Sequence, residues 1–356
     1  MANWEELPQV IRGLIVRRLA TEDFLAVRRV CTSWRTAAAK ETFNAKSRAP
    51  WLMIYTYSRI AKFCSPSTGS TYPVQLPRYH GQTMSTPGWI LVSRGPSEYR
   101  IVNPLSCISI ELPALEKLHG DIHHIHKIAL SSSPSLSRSY AVMISYGRSQ
   151  GFAFLRSGDD AWTAVNDATH LPWSNVIRLV YYDGLFVALD EQSRIMTLNE
   201  RKSRMESRLV LGLDCYADGD PYLVECSGSL LVAWKIWGEK YGGYVKEIRA
   251  FKVDLEKGTE EEIKSLGNAS IFLNGNASFS VEFNAESCLP GIKPNSVYYP
   301  DYEDDQMKSY GMEDGKFETY IDETSSCLFD ATSNCLYYDA TNRRRIYEAK
   351  WFQPDF

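Results

Sequence analysis

Four of the chain's six histidines fall within positions 119–126, in the stretch HGDIHHIHK that ends at Lys127. Clustered imidazoles are what a zinc or copper site would use, but such a site needs a third and usually a fourth ligand, with partners that fix each ring. His124 and His126 stand at i, i+2, so on a regular strand both point to one face. His119 and His123 bracket the turn before them, and Asp121 and His119 are the further ligand candidates. The stretch HIHKIAL also reads as a strand leaving a polar loop. A solvated or pH-sensitive cluster is the favoured reading, because imidazoles titrate near pH ~6.5. No metal, cofactor or catalytic residue is expected.

Other constellations resolve in the same direction. The acidic run DYEDDQMKSYGMEDGKFETYIDE at 301–323 lacks the ligand alternation, glycine and closing Glu of an EF-hand loop, and reads as solvated loop. Cys327 and Cys335 flank a predicted hairpin turn and read as packing residues. Asp159, Asp160, Asp183 and Asp190 sit in turn contexts that favour Asp. The alternative is the acid pair of a propeller hydrolase. HExxH, P-loop and GxGxxG patterns are absent from the sequence. The triplets Asn268-Ala269-Ser270 and Asn276-Ala277-Ser278 read as chance glycosylation matches in polar turns.

Any of these groups must be held by secondary structure, and the chain changes character near residue 50. Leu7, Ile11, Leu14 and Ile15 fall at i, i+4, i+7 and i+8, the spacing of one helical face, and Pro8 suits a first helical turn. Thr21 reads as the cap of a second helix, with Glu22 and Asp23 in its first turn, followed by Phe24, Val27, Cys31 and Trp34 at helical spacing. A third helix begins near Ser33. Three helices in about 45 residues bury little apolar surface, so this unit is expected to pack on something. KSRAP at 46–50 reads as a linker.

Beyond Trp51 the pattern is short β-type runs separated by turn signals, with hairpin turns expected at Asp183-Gly184, Ser227-Gly228 and Asn274-Gly275. The roughly 300 residues available allow about six or seven four-stranded blades. Ring closure predicts that the strand at 51–57 shares a blade with strands near 345–351, because this leaves no open edge. The expected fold is mainly β: a small three-helix unit at 1–48, then a six- or seven-bladed β-propeller at 51–356.

With 44% apolar and 23% charged residues and a net charge of -4, the chain is of ordinary globular type. Neither nucleic acid nor membrane is indicated as partner. Residues 1–48 carry nine Lys/Arg against five Asp/Glu, so the basic excess is confined to the helical unit. Eight cysteines without a CxxC pair fit reduced thiols, and the start MANWEELPQV lacks a signal-peptide pattern. A location in cytoplasm and/or nucleus is expected.

The motifs EELP, VIRGLIVRRL and VCTSWR within 4–45 resemble an F-box; Gly13, a poor helix former, is a departure within the first helix. RIVNPLSCISIELP (100–113), FLRSGDDAWTAV (154–165), YYDGLFVALDEQSRIMTL (181–198), YLVECSGSLLVAW (222–234), the stretch 250–281 and PGIKPNSVYYPDY (290–302) resemble a plant KIB-type β-propeller domain. The resemblance implies the substrate-recognition subunit of a Skp-cullin-F-box ubiquitin ligase. The F-box docks on the Skp adaptor and through it on a cullin, and the propeller binds a protein substrate that the sequence does not name. Alternatives are a Skp-bound scaffold or decoy, or a propeller hydrolase.

Periodicity alone allows Leu7, Pro8, Ile11, Leu14, Leu19, Leu25, Val30 and Trp34 to be either helical core or adaptor anchors. The resemblance favours docking, with Leu7, Pro8 and the Ile11/Leu14 ridge as surface anchors. Arg17, Arg18, Arg28 and Arg29 then form a basic rim that steers an acidic partner. Trp173, Trp237, Tyr241 and Tyr244 are aromatic candidates for substrate contact, and core packing explains them equally well.

Overall fold

The computed structural model describes residues 4–19, 21–28, 30–39, 49–55, 60–65, 71–75, 84–93, 95, 97–115, 118, 124–147, 151–165, 175–201, 204–213, 219–238, 244–283, 289, 291–301, 306–321, 337–338, 344–345 and 350–354. The helical period at the start becomes a 3-10 turn at Trp4–Glu6 and the helices Gln9–Val16 (α1), Thr21–Val27 (α2) and Thr32–Ala37 (α3). Two capping expectations change. The Thr21 hydroxyl is buried with no hydrogen-bond partner, so it does not cap α2. Helix α3 begins at Thr32 behind Cys31 rather than at Ser33.

The short apolar runs pair into six blade sheets, antiparallel except for one parallel pair in the sixth. The first takes Trp51–Tyr55 (β1), Ile60–Cys64 (β2) and Thr71–Gln75 (β3). The second takes Met84–Thr86 (β4), Trp89–Ser93 (β5), Tyr99–Val102 (β6) and Ser109–Glu111 (β7). The third takes Ile125–Leu130 (β8), Ala141–Tyr146 (β9), Gly151–Arg156 (β10) and Thr163–Ala164 (β11). The fourth takes Val176–Tyr182 (β12), Leu185–Asp190 (β13), Arg194–Arg201 (β14) and Arg204–Gly212 (β15). The fifth takes Gly219–Cys226 (β16), Ser229–Trp237 (β17), Val245–Asp254 (β18) and Thr259–Ile263 (β19). The sixth takes Ala269–Phe272 (β20), Phe279–Glu282 (β21), Ser296–Asp301 (β22), Gln306–Gly311 (β23) and Phe317–Ile321 (β24). Tyr337–Tyr338 (β25) and Arg344–Arg345 (β26) pair as a separate ribbon, and Lys350–Phe352 (β27) returns to the first sheet.

The ring therefore has six blades. Closure follows the expected route, with β27 antiparallel to β1 and Trp51 opposite Phe352, Leu52 opposite Trp351 and Met53 opposite Lys350. Strands β27, β4, β8, β12 and β16 neighbour one another in sequence around the axis, and β20 and β21 follow β16. Asp183-Gly184 and Ser227-Gly228 make the predicted tight hairpins, all four residues at positive φ as this turn requires.

Each pair of adjacent blades shares one apolar cluster, because every sheet buries both faces. Trp51, Met53, Phe63 and Phe352 meet Ile90 and Val92 between the first two blades. Leu52 and Trp351 meet Phe272, Phe279 and Tyr298 between the sixth and the first. The Phe272 ring lies 5.0 Å from Trp351 edge-on and stacks on Tyr298 at 4.8 Å, arrangements that add to the area buried.

Two expectations are corrected here. Asn274-Gly275 is not a tight hairpin: it lies in the longer 273–278 loop, where buried Asn274 donates to Ser85 Oγ at 3.0 Å and Trp351 O at 2.9 Å. Asn276 is buried too and donates to Ser85 O at 3.1 Å, so this triplet is no accessible glycan acceptor. The acidic run is not all loop. β23 and β24 take up 11 of its 23 positions, with Met307 and Tyr310 buried and Asp301 paired to Lys308 at 2.9 Å. Its alternating apolar positions outweigh its charge once a neighbouring strand supplies a partner.

Candidate adaptor interface

The helices build a small core of their own. Val16 from α1, Phe24 from α2 and Trp34, Ala37 and Ala38 at α3 are buried together, with Leu7, Ile15, Leu19, Val27 and Cys31 packed around them. Leu105, in the hairpin between β6 and β7, joins this cluster and also the one between the first two blades. Asn103 shapes that hairpin, its Oδ1 accepting from Leu105 N and Ser106 N at 2.9 Å each. The helical unit is thus seated on the propeller through the stretch RIVNPLSCISIELP.

The opposite face of α1 is left uncovered. Val10 is 73%, Leu14 52% and Ile11 43% exposed, and Trp4 and Val30 are also exposed. Val10, Ile11 and Leu14 lie on one side of α1, while Ile15 and Val16 turn to the core. Pro8 precedes the helix with an extended backbone, and its carbonyl accepts from Arg12 N at 3.1 Å.

The predicted anchors separate accordingly. Ile11, Leu14 and Val30 are exposed, as is Pro8; Leu7 and Leu19 are half-buried against the helical core; Trp34 is buried within it. The side chain of Leu25 lies outside the described residues. Val10 and Trp4 were not singled out from the sequence, although Val10 neighbours Ile11 on the same face. Among the cations, Arg17 and Arg18 are exposed. Arg28 is instead committed internally, Nη1 donating to Ala38 O at 3.1 Å beyond the end of α3, where a cation complements the exposed carbonyls. Arg29 lies outside the described residues.

Of the remaining candidates, several are structural and others lie outside the described residues. His119, Asp121 and His123 are not among the described residues. His124 is exposed and precedes β8, and a bulge between Ile125 and Lys127 breaks the alternation that would align it with His126. His126 Nε2 lies 2.9 Å from Gly147 O, so that nitrogen carries the proton and has no lone pair for a metal. Among the described residues no three His, Cys, Asp or Glu side chains are grouped as metal ligands. Cys327, Cys335, Trp173 and Tyr241 lie outside the description; Trp237 is half-buried and Tyr244 exposed.

Asp190 is buried and builds its own turn, accepting from Gln192 N, Arg194 N and Arg194 Nε at 2.8–3.0 Å. Asp159 Oδ2 accepts from Arg156 N at 2.9 Å in the same manner. The sequence also holds one GxSxG pentapeptide, Gly147 to Gly151. It connects β9 to β10 rather than a strand to a helix, the context a nucleophile elbow requires. The axis holds a cavity of about 240 Å³ to which all six blades contribute, among them Thr86, Leu130, Tyr181, Glu225, Phe279 and Gln353.

Comparison with known proteins agrees with this division. The F-box domain model matches residues 4–46 and the KIB1-4 β-propeller model residues 63–330. The F-box/kelch-repeat protein At1g57790 of Arabidopsis thaliana is 24% identical, with 88% of each chain covered. The F-box protein At2g17690 of the same plant is 20% identical over 92% of this chain and 98% of its own. The chain belongs to the KIB1-4 β-propeller family and carries an F-box domain ahead of the propeller.

Proposed function

We propose that this chain is the substrate-recognition subunit of a Skp-cullin-F-box ubiquitin ligase, acting in the cytoplasm and/or nucleus. The uncovered apolar face of α1 is the observation that carries this reading, because it lies within the matched F-box and away from the side that seats on the propeller. Ile11 and Leu14 anchor the Skp adaptor, Val10, Trp4 and Val30 extend the contact, and Arg17 and Arg18 form its basic rim. The propeller holds a protein substrate near the conjugating enzyme that the cullin recruits, so the chain contributes proximity and orientation rather than catalytic groups.

Leu7→Ala with Pro8→Ala mixes docking with folding, since Leu7 packs on the helical core. Ile11→Ala with Leu14→Ala is the cleaner test. Each anchor is expected to cost about 2 kcal/mol of adaptor binding, abolishing co-purification with Skp and cullin while circular dichroism and thermal unfolding stay as in the parent. Undiminished adaptor capture overturns the placement. Proximity labelling in plant cells, with intact and double-variant chains and with proteasome inhibition, then tests the ligase role. Substrates should accumulate when docking is lost; absence of ubiquitin-system partners around the intact chain defeats the reading.

A further inference from the structure

The axial cavity is walled by the last residues of the inner strands. Thr86 ends β4, Leu130 ends β8, Tyr181 and Glu225 are next to last in β12 and β16, and Gln353 follows β27. The sixth blade completes the wall with Phe279 and Ser280 at the start of β21. Each of β4, β8, β12 and β16 is an edge strand of its sheet, and an edge strand carries backbone carbonyls that no sheet neighbour uses. The cavity's volume is about 240 Å³. That is below the roughly 300–1,000 Å³ of pockets that enclose a drug-sized ligand, so the space suits one inserted side chain rather than a whole cofactor.

Of the lining residues Glu225 alone carries a formal charge. Leu223, two residues earlier on the same side of β16, is buried between the fourth and fifth blades, whereas Glu225 is exposed. Among the described residues no cation lies within ion-pair distance of this carboxylate. Lys127 and Arg178 stand three residues before Leu130 and Tyr181, about 10 Å back along those strands, and neither lines the cavity. Ser280, Gln353 and Tyr181 add neutral polar groups and are each half-buried. The Tyr181 ring is fixed by an edge-type contact with Phe186 at 5.0 Å. An unpaired carboxylate, a ring and neutral acceptors set among apolar walls match a cation on an apolar stem. Arginine fits better than lysine, because its planar fork meets a carboxylate through two parallel bonds and stacks on an aromatic face.

We propose that the axial cavity takes an arginine side chain of the protein substrate, its guanidinium held by Glu225 beside the Tyr181 ring. That the arginine belongs to a protein rests on the reading of the propeller as the substrate-holding part; the cavity's preference for a guanidinium does not. The site lies apart from α1. A chain carrying Ile11→Ala and Leu14→Ala, which captures no Skp, therefore still binds the guanidinium.

The test titrates the full chain with acetyl-arginine amide, with acetyl-lysine amide, and with acetyl-citrulline amide, the uncharged isostere of the first, at constant ionic strength. Methyl NMR follows Ile128, Leu130, Leu179 and Val180, which line the cavity. The arginine probe should shift these methyls saturably, the lysine probe should bind about tenfold more weakly, and the citrulline probe should leave them unmoved. Glu225→Gln should weaken arginine binding about tenfold with the thermal unfolding midpoint unchanged, since this carboxylate is exposed and unpaired. Tyr181→Phe should retain binding and Tyr181→Leu weaken it. Glu261→Gln, an exposed carboxylate on the outer strand β19, should leave it as in the parent. Absence of a saturable shift with the arginine probe overturns the proposal, as do equal binding of the citrulline probe and undiminished binding in Glu225→Gln. A lysine probe bound as tightly as arginine overturns the choice of arginine. Loss of the cavity site with Skp capture intact strikes this proposal alone, and arginine binding by a chain that never captures Skp strikes the ligase reading alone.

Discussion

In the propeller, Trp51, Trp89, Trp234 and Trp351 are almost wholly inaccessible, whereas in the helical unit Trp4, Val10, Ile11, Leu14 and Val30 stand in solvent. The difference is geometric. A closed ring gives every sheet a neighbour on both faces, so its apolar side chains on either face find a cluster. Three short helices have one small core, seated on Leu105, and among the described residues nothing covers the outer side of α1. One region therefore buries its apolar side chains within itself, while the other leaves part of them in solvent.

The sharpest way to break this comparison is at the ring's closure. Trp351→Ala removes a side chain packed among Phe272, Tyr298 and Leu52, and should cost about 3–5 kcal/mol in denaturant unfolding. A loss under about 1 kcal/mol would mean that the six interfaces do not share the load. The helical unit should respond differently, through its local helix. An added Cβ at Gly13 meets nothing within 4 Å, so Gly13→Ala should stabilise α1 by about 0.5–1 kcal/mol. Slower amide exchange confined to α1, with an unchanged propeller, is the expected readout.

The smallest effect is expected on the propeller's outer rim. The Arg249 guanidinium grips Glu262 through two bonds of 2.7 and 2.6 Å, and with Lys264 it holds that carboxyl down to about 2. A carboxylate with a depressed folded-state value stabilises above its unfolded value of 4.5 and loses that contribution as pH falls toward about 2. The stability gap between the parent and Glu262→Gln should be about 1 kcal/mol or less at neutral pH and close across that window. A gap that persists at pH 2 would show packing rather than charge at this pair.

Much of this was legible along the chain. Helical spacing at Leu7, Ile11, Leu14 and Ile15 and the positive-φ pairs Asp183-Gly184 and Ser227-Gly228 are local signals, and the structure follows them. The parallel pairing of β20 with β22 was not legible, because β22 lies on the side of β20 away from β21, and no local pattern encodes that placement. Nor were the bulges in β8 and β12. An extra residue changes which way His126, Lys127 and Arg178 face without changing the alternation visible in the sequence. Trp34 and Ile11 illustrate the same limit: equal periodicity placed one in the core and the other in solvent.

Residue type and spacing alone determined that three helices precede a ring of hairpins, since backbone preference and apolar period act within a few residues. Only the tertiary structure decided how many blades close the ring and which side of α1 remains bare. Both depend on segments that meet across the whole chain, beyond the reach of local spacing.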